Sequence, residues 1–246
     1  MTTPAGTPST QTSPAAPAAQ AAPAEKRRPA TVVEAAHLSL VGPEGPVFTD
    51  VSLAVEPARL TVVVGPGGSG RSSLLLALCG RMRGTTGTIR AQGRPVASGR
   101  ELRALRSRTA VARIAALVQP EPRLTVARSV VERALLDGVR PAAAEDAFAV
   151  AEGLLDVRLD RDALVERLPA YDRTALAVAL ACVRPADLVV LDDLDADLDL
   201  ADQLRFADAL VRLAASGPAV LASTTERASV PADAVLVTLA PPTEAR

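Results

Sequence analysis

One segment constrains the fold of this 246-residue chain more than any other: an apolar strand that leads directly into a glycine-rich turn and a helix. Leu60–Val64 is a compact apolar run, Gly65–Ser72 contains four glycines, and Ser73–Gly80 is rich in Leu and Ala. Such glycines let backbone N–H groups curl around phosphate oxygens, and the N-terminus of the following helix adds a favourable dipole. A glycine-rich turn without a ligand is the alternative, but the position between strand and helix favours phosphate binding.

The turn matches the phosphate-loop pattern GxxxxGK[ST] at every required position except one. Gly65, Gly70 and Ser72 stand where the pattern needs them, whereas Arg71 replaces the lysine, and Lys26 is the single lysine of the chain. The arginine keeps the positive charge, but its planar fork cannot reproduce a compact ammonium that bridges two phosphates. The residues predicted to bind phosphate are Gly65, Gly67, Gly68, Ser69, Gly70, Arg71, Ser72 and Ser73.

A second element carries acidic side chains to the end of another apolar strand. Leu188–Leu191 is followed by Asp192 and Asp193. Ligands of open α/β sheets bind at the carboxyl ends of the strands, and a carboxylate there holds Mg²⁺ in many phosphate-loop proteins. The alternative is a solvated acidic run, because further aspartates follow up to Asp202. The preceding apolar strand favours the specific role for Asp192.

The composition of the chain argues against several classes of site and of binding partner. Residues 1–30 are rich in Pro, Ala, Thr and Ser without apolar periodicity, which predicts a disordered tail. Cys79, Cys182 and the lone His37 form no ligand cluster, so a zinc site or disulfide framework is not expected. No run of about 18 apolar residues predicts a membrane span, and no signal peptide is evident, which predicts a cytoplasmic protein. The net charge of −1 gives no electrostatic case for binding nucleic acid.

The order of elements predicts an α/β fold. Two β-type segments, 31–40 and 47–56, surround a turn-rich stretch, and strands and helices alternate afterwards. This alternation predicts a mostly parallel sheet with helices on both faces, beginning with antiparallel strands. The later elements are predicted as strands at 114–118, 188–191, 219–223 and 234–239, and as helices at 125–137, 142–155, 173–183 and 200–215.

Taken together, these motifs resemble the nucleotide-binding domain of ABC transporters, from Val32 to Leu239. Gly65–Ser72 resembles the Walker A motif and Leu188–Asp192 the Walker B motif. Gln119 stands at the Q-loop position, Asp199 at the D-loop position and Thr225 at the position of the switch histidine. The segment 168–173 falls on the LSGGQ signature. The resemblance implies a P-loop core at 31–240, with an antiparallel β subdomain and a helical subdomain at about 120–183, followed by a short tail at 241–246.

The resemblance also implies cofactors, roles and partners. ATP would bind the phosphate loop, Mg²⁺ would be held by Ser72, Gln119 and Asp192, and Asp193, Thr225 and Gln119 would occupy the catalytic positions. Members of this family form head-to-tail dimers and dock on a membrane permease, which predicts a peripheral location on the inner face of the cell membrane. The second ABC subunit could be identical or different. The residues expected to contact it are Leu168, Pro169, Ala170, Tyr171, Asp172 and Asp199.

The departures from the family pattern lie at the positions that bind and hydrolyse ATP in the family. Arg71 replaces the lysine, Asp193 is one methylene shorter than the usual glutamate, and Thr225 lacks the imidazole of the switch histidine. A misplacement of about 1 Å can cost roughly a hundredfold in rate. Pro169-Ala170-Tyr171 replaces Ser-Gly-Gly. We therefore expect slow or absent ATP hydrolysis, and whether the chain is an enzyme stays open. The alternatives are a catalytically silent partner subunit and, less favoured, a soluble P-loop protein outside transport.

Overall fold

A computed structural model of the chain describes residues 1–2, 31–114 and 117–241. Most of the predicted N-terminal tail and nearly all of the predicted C-terminal tail lie outside these residues. Within the described residues the chain forms nine strands and six α-helices. The strands are β1 (Val33–Gly42), β2 (Gly45–Val55), β3 (Leu60–Val64), β4 (Thr85–Ala91), β5 (Arg94–Pro95), β6 (Thr109–Arg113), β7 (Leu188–Leu191), β8 (Ala219–Thr224) and β9 (Val235–Thr238). The helices are α1 (Arg71–Leu78), α2 (Gly99–Arg108), α3 (Val126–Asp137), α4 (Pro141–Leu155), α5 (Ala170–Ala181) and α6 (Leu200–Ala215).

A five-stranded parallel sheet in the order β6-β7-β8-β3-β9 forms the centre of the molecule. Its register pairs Val64 with Thr224 and Leu191 with Ala222, so the carboxyl ends of β3, β8 and β7 meet at one edge. Arg113, the last residue of β6, pairs with Leu191 at the same edge. The phosphate loop and the aspartate pair therefore project from neighbouring positions, as Walker-type motifs require.

The antiparallel part is a separate four-stranded sheet in the order β2-β1-β4-β5. These strands were predicted at 31–40 and 47–56, whereas in the structure they lie at Val33–Gly42 and Gly45–Val55 and are joined by a tight turn at residues 43–44. This sheet packs with α1 on one face of the parallel sheet. The predicted fold class, a mostly parallel sheet with an antiparallel β subdomain and a helical region, is confirmed.

Side chains of β3 show how the two faces of the parallel sheet are covered. Leu60, Val62 and Val64 belong to the core formed with α3 to α6, whereas Val63 belongs to the core formed with α1 and the antiparallel sheet. A strand buried on both faces is predominantly apolar, which explains the Leu and Val residues of β3, where the buried Thr61 is the single polar residue.

Two predictions along the chain were incomplete. Two residues of the strand predicted at 114–118, residues 115 and 116, lie outside the described part of the chain. The described neighbours form β6 at Thr109–Arg113 and an isolated bridge between Ile114 and Val118. α2 was not predicted, because this arginine-rich helix has a single buried residue and therefore lacks an apolar face. Its start carries a capping box in which Ser98 and Glu101 bond each other's backbone, and this Ser-x-x-Glu signal was available in the sequence.

The helical region that packs over the sheet contains a partly buried ion pair between Glu152 of α4 and Arg161. Nη2 of Arg161 donates to Oε2 of Glu152 at 2.7 Å, and the N–H of Leu159 donates to Oε1 at 2.9 Å. Burial raises the pKa of Glu152, but the bonds from Arg161 and Leu159 outweigh it and hold the pKa below its ordinary value. The carboxylate therefore stabilises the folded chain in its ionised form.

We predict that this carboxylate makes the free energy of unfolding dependent on pH. The stabilisation is complete above the ordinary glutamate pKa and is lost as the pH falls through the lowered pKa of the folded state. Glu152→Gln is expected to lose about 1.5–3 kcal/mol near neutral pH, the usual value for a hydrogen bond to a charged group. Urea unfolding between pH 7 and pH 3 checks this, and an unchanged acid dependence in the variant would contradict the assignment.

Candidate functional site

The loop from Gly65 to Gly70 joins β3 to α1, and its two end glycines are required by space. A Cβ atom on Gly65 would lie 2.5 Å from the carbonyl oxygen of Leu239 and 2.6 Å from Oγ of Ser69. Gly70 has φ +87°, and a Cβ atom there would collide with the carbonyl oxygen of Val47 on β2. The loop is therefore packed against both sheets, which fixes the start of α1.

Arg71, the first residue of α1, turns its guanidinium back into this loop. Nη1 donates to the carbonyl oxygens of Gly65 and Pro66, at 2.9 Å for Pro66. Nη2 donates to Oδ1 of Asp193 at 2.7 Å, in an ion pair whose side chains are 9% and 34% exposed. The residue in the lysine position thus closes the loop on itself and ties it to the acidic turn after β7.

Asp192 lies directly after β7 and is fully buried. Its Oδ1 accepts a hydrogen bond from Oγ of Ser223 on β8, and the same hydroxyl accepts the N–H of Asp193 at 2.9 Å. The other oxygen, Oδ2, is buried without a hydrogen-bond partner among the described residues. An unpaired buried carboxylate oxygen is costly, and a cation or its bound water would satisfy it.

The remaining phosphate-loop residues offer polar groups toward the same region. Oγ of Ser69 is also buried and has no hydrogen-bond partner in the part of the chain that the structure describes, whereas Ser72 and Ser73 are half-buried on the first turn of α1. Together with Oδ2 of Asp192, these groups fit a bound Mg²⁺–phosphate, since Mg²⁺ in such sites uses one or two protein oxygens and the phosphates of the substrate. Among the described residues no group of three His, Cys, Asp or Glu side chains forms a metal site made by the protein alone.

Thr225, predicted at the switch position, lies just past β8 and is exposed. Its hydroxyl and its N–H both donate to Oδ2 of Asp195, at 3.0 Å for the N–H. Burial raises the pKa of Asp195, but the bonds from Thr225 outweigh it, so the pKa lies below its ordinary value. The threonine therefore holds an ionised neighbour of the Asp192–Asp193 turn.

Arg113 is a site residue that the sequence analysis missed. Its guanidinium donates to the carbonyl oxygens of Asp192, at 3.3 Å, and Asp193, at 2.6 Å, and to Oγ1 of Thr174 at 3.0 Å. Burial lowers the pKa of Arg113, against the attraction of Asp193 and Asp192. No local motif marks this arginine, because its role follows from the pairing of β6 with β7.

Gln119 and the predicted signature occupy other positions. Gln119 is exposed and lines a cavity of about 480 Å³ with Arg113 and Asp193. Within the described part of the chain, no hydrogen bond or ion pair joins residues 168–172 to residues 65–73. The two groups therefore do not form one site inside this chain.

The individual signature residues differ in exposure. Leu168 and Tyr171 are buried in the core, where the Tyr171 ring meets Phe206 edge-on at 5.3 Å. Pro169 precedes α5 and is exposed, Ala170 is half-buried, and burial raises the pKa of half-buried Asp172. Asp199 caps α6 by accepting the N–H of Asp202. The bulk of Tyr171 is thus accommodated inside the fold.

The amino-acid sequence matches a known protein family and several curated proteins. The family model described as ABC transporter matches residues 48–196, more than half of the chain. The chain is 30% identical to the hemin import ATP-binding protein HmuV of Rhodococcus jostii, over 70% of this chain and 57% of that protein. It is 32% identical to the mycobactin import ATP-binding/permease protein IrtB of Mycolicibacterium smegmatis, over 67% of this chain and 29% of that protein. The chain spans about a third of the length of IrtB and of several other curated relatives that it matches.

Solved structures show the same fold at low sequence identity. The CbiO1 protein of Clostridium perfringens, described as part of the ABC transporter complex CbiONQ, superposes with a TM-score of 0.67 at 17% identity, over 80% of this chain and 79% of that one. A dimeric bacterial ABC transporter cassette superposes with a TM-score of 0.67 at 16% identity, over 85% of this chain and 94% of that one. Among the residues that the structure describes, none of the helices is long and apolar enough to cross a bilayer.

The packing of the loop generates a test with a matched control. Gly70→Ala places a side chain at φ +87° against a carbonyl oxygen and is expected to cost about 1–3 kcal/mol of unfolding free energy. Gly67→Ala lies in the same loop with nothing within 4 Å of the added atom, and should change stability by less than about 0.5 kcal/mol. Urea unfolding of both variants decides, and equal effects would contradict the described loop.

Proposed function

Because the chain belongs to the ABC transporter family, we propose that it is the ATP-binding subunit of a transporter, docks on a separate membrane permease and hydrolyses ATP weakly. The ion pair between Arg71 and Asp193 carries the last part of this proposal, since it engages the two side chains that would act on the terminal phosphate. The chain covers 57% of HmuV and 29% of IrtB, so the activity of a whole transporter is part of this proposal.

ATP binding is supported by the phosphate loop and the buried aspartate. We assign the phosphates to the backbone N–H groups of residues 65–73, with Arg71 as the cation that the loop supplies. Mg²⁺, which would shield the phosphate charge when bound, is assigned to Ser72 and Asp192, with Gln119 as the third predicted ligand. The unpartnered Oδ2 of Asp192 supports this assignment most directly.

Weak hydrolysis follows from the state of the remaining groups. A carboxylate that activates water must be directed at that water, but the bond from Arg71 to Oδ1 at 2.7 Å holds the Asp193 side chain toward the phosphate loop, and this side chain is one methylene shorter than glutamate. Thr225 has no imidazole and donates its hydroxyl to Asp195. Asp193 is therefore a weakened base, and Thr225 supplies no strong donor to a phosphate.

A catalytically silent partner subunit is the second candidate, and the same contacts favour it. Asp193 and Thr225 are both engaged by residues of the chain itself, in an arrangement that needs no nucleotide. Such a subunit would bind ATP and complete a dimer without turnover. The solved dimeric cassette supports pairing with a second ABC subunit, identical or different. We assign this contact to the predicted set, of which Leu168 and Tyr171 are buried in this chain and the others are exposed or half-buried: Leu168, Pro169, Ala170, Tyr171, Asp172 and Asp199.

An exposed apolar surface on α3 supports docking on a permease. Val131, Leu135 and Leu136 are 48%, 73% and 78% exposed. The α3 residues line a shallow cavity of about 590 Å³. Exposed apolar groups of this size mark interaction surfaces in many soluble domains, and a permease would cover them.

ATP binding and phosphate release by the purified chain test the proposal. We expect Mg²⁺-dependent ATP binding that is lost in Arg71→Ala, with little phosphate release alone or with a candidate permease. Isothermal titration and a phosphate assay measure both. Turnover at the rate of ordinary ABC ATPases, abolished by Arg71→Ala, would contradict weak hydrolysis, and no detectable ATP binding would contradict the nucleotide role.

Restoring the family residues should raise the rate of hydrolysis. In the triple variant Arg71→Lys, Asp193→Glu and Thr225→His, an ammonium replaces the guanidinium, a longer carboxylate replaces that of Asp193, and an imidazole replaces the hydroxyl of Thr225. We expect at least about a hundredfold gain in phosphate release, since each of these groups acts on the transition state. The single variant Arg103→Lys, an exposed arginine of α2, serves as a control for lysine substitution and should leave the rate unchanged.

A further inference from the structure

We propose that Arg113 is a positioning residue that couples the predicted signature helix α5 to the Asp192–Asp193 turn and, through Asp193, to the phosphate loop. The inference deepens the proposed function and rests on it for its consequence, although the coupling itself is a property of the chain without nucleotide. The guanidinium of Arg113 forms hydrogen bonds on two sides, with the acidic turn and with α5.

On one side, the guanidinium holds the backbone of the acidic turn. Nη2 donates to the carbonyl oxygen of Asp193 at 2.6 Å, and Nε and Nη2 both lie 3.3 Å from the carbonyl oxygen of Asp192. A planar fork is suited to two acceptors at fixed spacing, whereas an ammonium would reach them as a single point. Arg113 therefore fixes the orientation of two consecutive peptide groups.

This turn needs such support, because Asp193 has φ +48°, a left-handed conformation that is uncommon for residues with a Cβ atom. The conformation turns its N–H toward Ser223, its carbonyl oxygen toward Arg113 and its carboxylate toward Arg71. Without Arg113, the left-handed conformation of Asp193 loses one of the hydrogen bonds that stabilise it. The carboxylate would then move away from Arg71.

On the other side, Nη1 donates to Oγ1 of Thr174 at 3.0 Å. Thr174 lies in the second turn of α5 and is 1% exposed, so its hydroxyl is directed into the protein. A neighbouring contact joins the same helix to the same acidic loop, since Arg173 forms an ion pair with Asp197 at 3.5 Å. The link through Arg113 is partly buried, whereas the side chains of Arg173 and Asp197 are 38% and 77% exposed.

The contacts form a continuous path from α5 through Thr174, Arg113 and Asp193 to Arg71. A shift of α5, such as one produced by a second subunit at its N-terminus, would move the guanidinium relative to the turn. The Arg71–Asp193 pair would respond, and with it the access of phosphate to the loop. Arg113 would thus act on nucleotide binding without touching the nucleotide.

Amide hydrogen exchange of the nucleotide-free chain tests the coupling directly. The reporters are the N–H groups of Asp192, Leu194 and Ala196, which donate to Arg113, Ser223 and Asp193. We expect Arg113→Gln to accelerate their exchange about tenfold, the effect of losing one typical hydrogen bond. Thr174→Val, which removes only the hydroxyl, should accelerate it several-fold, and Thr174→Ser, which keeps the hydroxyl, should restore it.

Arg161→Gln provides the control for general destabilisation, because Arg161 is also a partly buried arginine but bonds Glu145 and Glu152. It should leave exchange of the three reporters unchanged. Reporter exchange that is equal in Arg113→Gln, Thr174→Val and Arg161→Gln would overturn the positioning role.

ATP binding by the same variants separates this inference from the proposed function. If the wild-type chain binds ATP, Arg113→Gln should reduce the gain in affinity from Mg²⁺ about tenfold and leave affinity without Mg²⁺ within about twofold, since it acts through the carboxylate turn. If the wild-type chain binds no ATP, the proposed function fails, and the exchange measurement still decides the role of Arg113. Unchanged Mg²⁺ dependence in a chain that binds ATP would overturn the coupling.

Discussion

The parallel register of β3, β8, β7 and β6 is the constraint on which the candidate site depends. It brings residues separated by more than a hundred positions in sequence to one edge of the sheet, where Val64 pairs with Thr224 and Leu191 with both Ala222 and Arg113. Short turns after each strand then leave little freedom to the polar groups. The phosphate loop, the aspartate pair and Arg113 occupy this edge because hydrophobic burial on both faces fixes the strands below them.

At this edge, positive and negative side chains of the chain itself satisfy one another. Arg71 bonds the loop carbonyls and Asp193, and Thr225 bonds Asp195, whereas Oδ2 of Asp192 has no partner among the described residues. In this arrangement Oδ2 of Asp192 is available to a bound cation, whereas the predicted base Asp193 and the loop cation Arg71 are paired with each other. We propose that this distribution permits binding of Mg²⁺–ATP but slows its hydrolysis.

Much of the fold could be predicted from local pattern. β3, β7 and α6 begin and end where the apolar runs and the helical periodicity place them, because each is buried along its length or along one face. β6 was misplaced, since the apolar stretch after Arg113 reads as a strand and only register with β7 selects the earlier residues. α2 was missed because helical patterning with one buried residue leaves almost no apolar signal.

The site was predictable in its motifs but not in its contacts. Glycine spacing and the apolar strand before Asp192 identified the loop and the carboxylates, since both depend on residues adjacent in sequence. The bond between Arg71 and Asp193, the burial of Tyr171 and the role of Arg113 depend on side-chain direction and on long-range pairing, which spacing does not encode.

A double-mutant cycle between Arg71 and Asp193 tests the central claim most directly. The free energy of unfolding of the nucleotide-free wild type would be compared with Arg71→Gln, Asp193→Asn and the double variant. A partly buried pair at 2.7 Å predicts an interaction free energy of about 1–3 kcal/mol, so that the double variant loses less than the sum of the single variants. Additivity within about 0.5 kcal/mol would show that the two side chains do not hold each other, and would contradict the account.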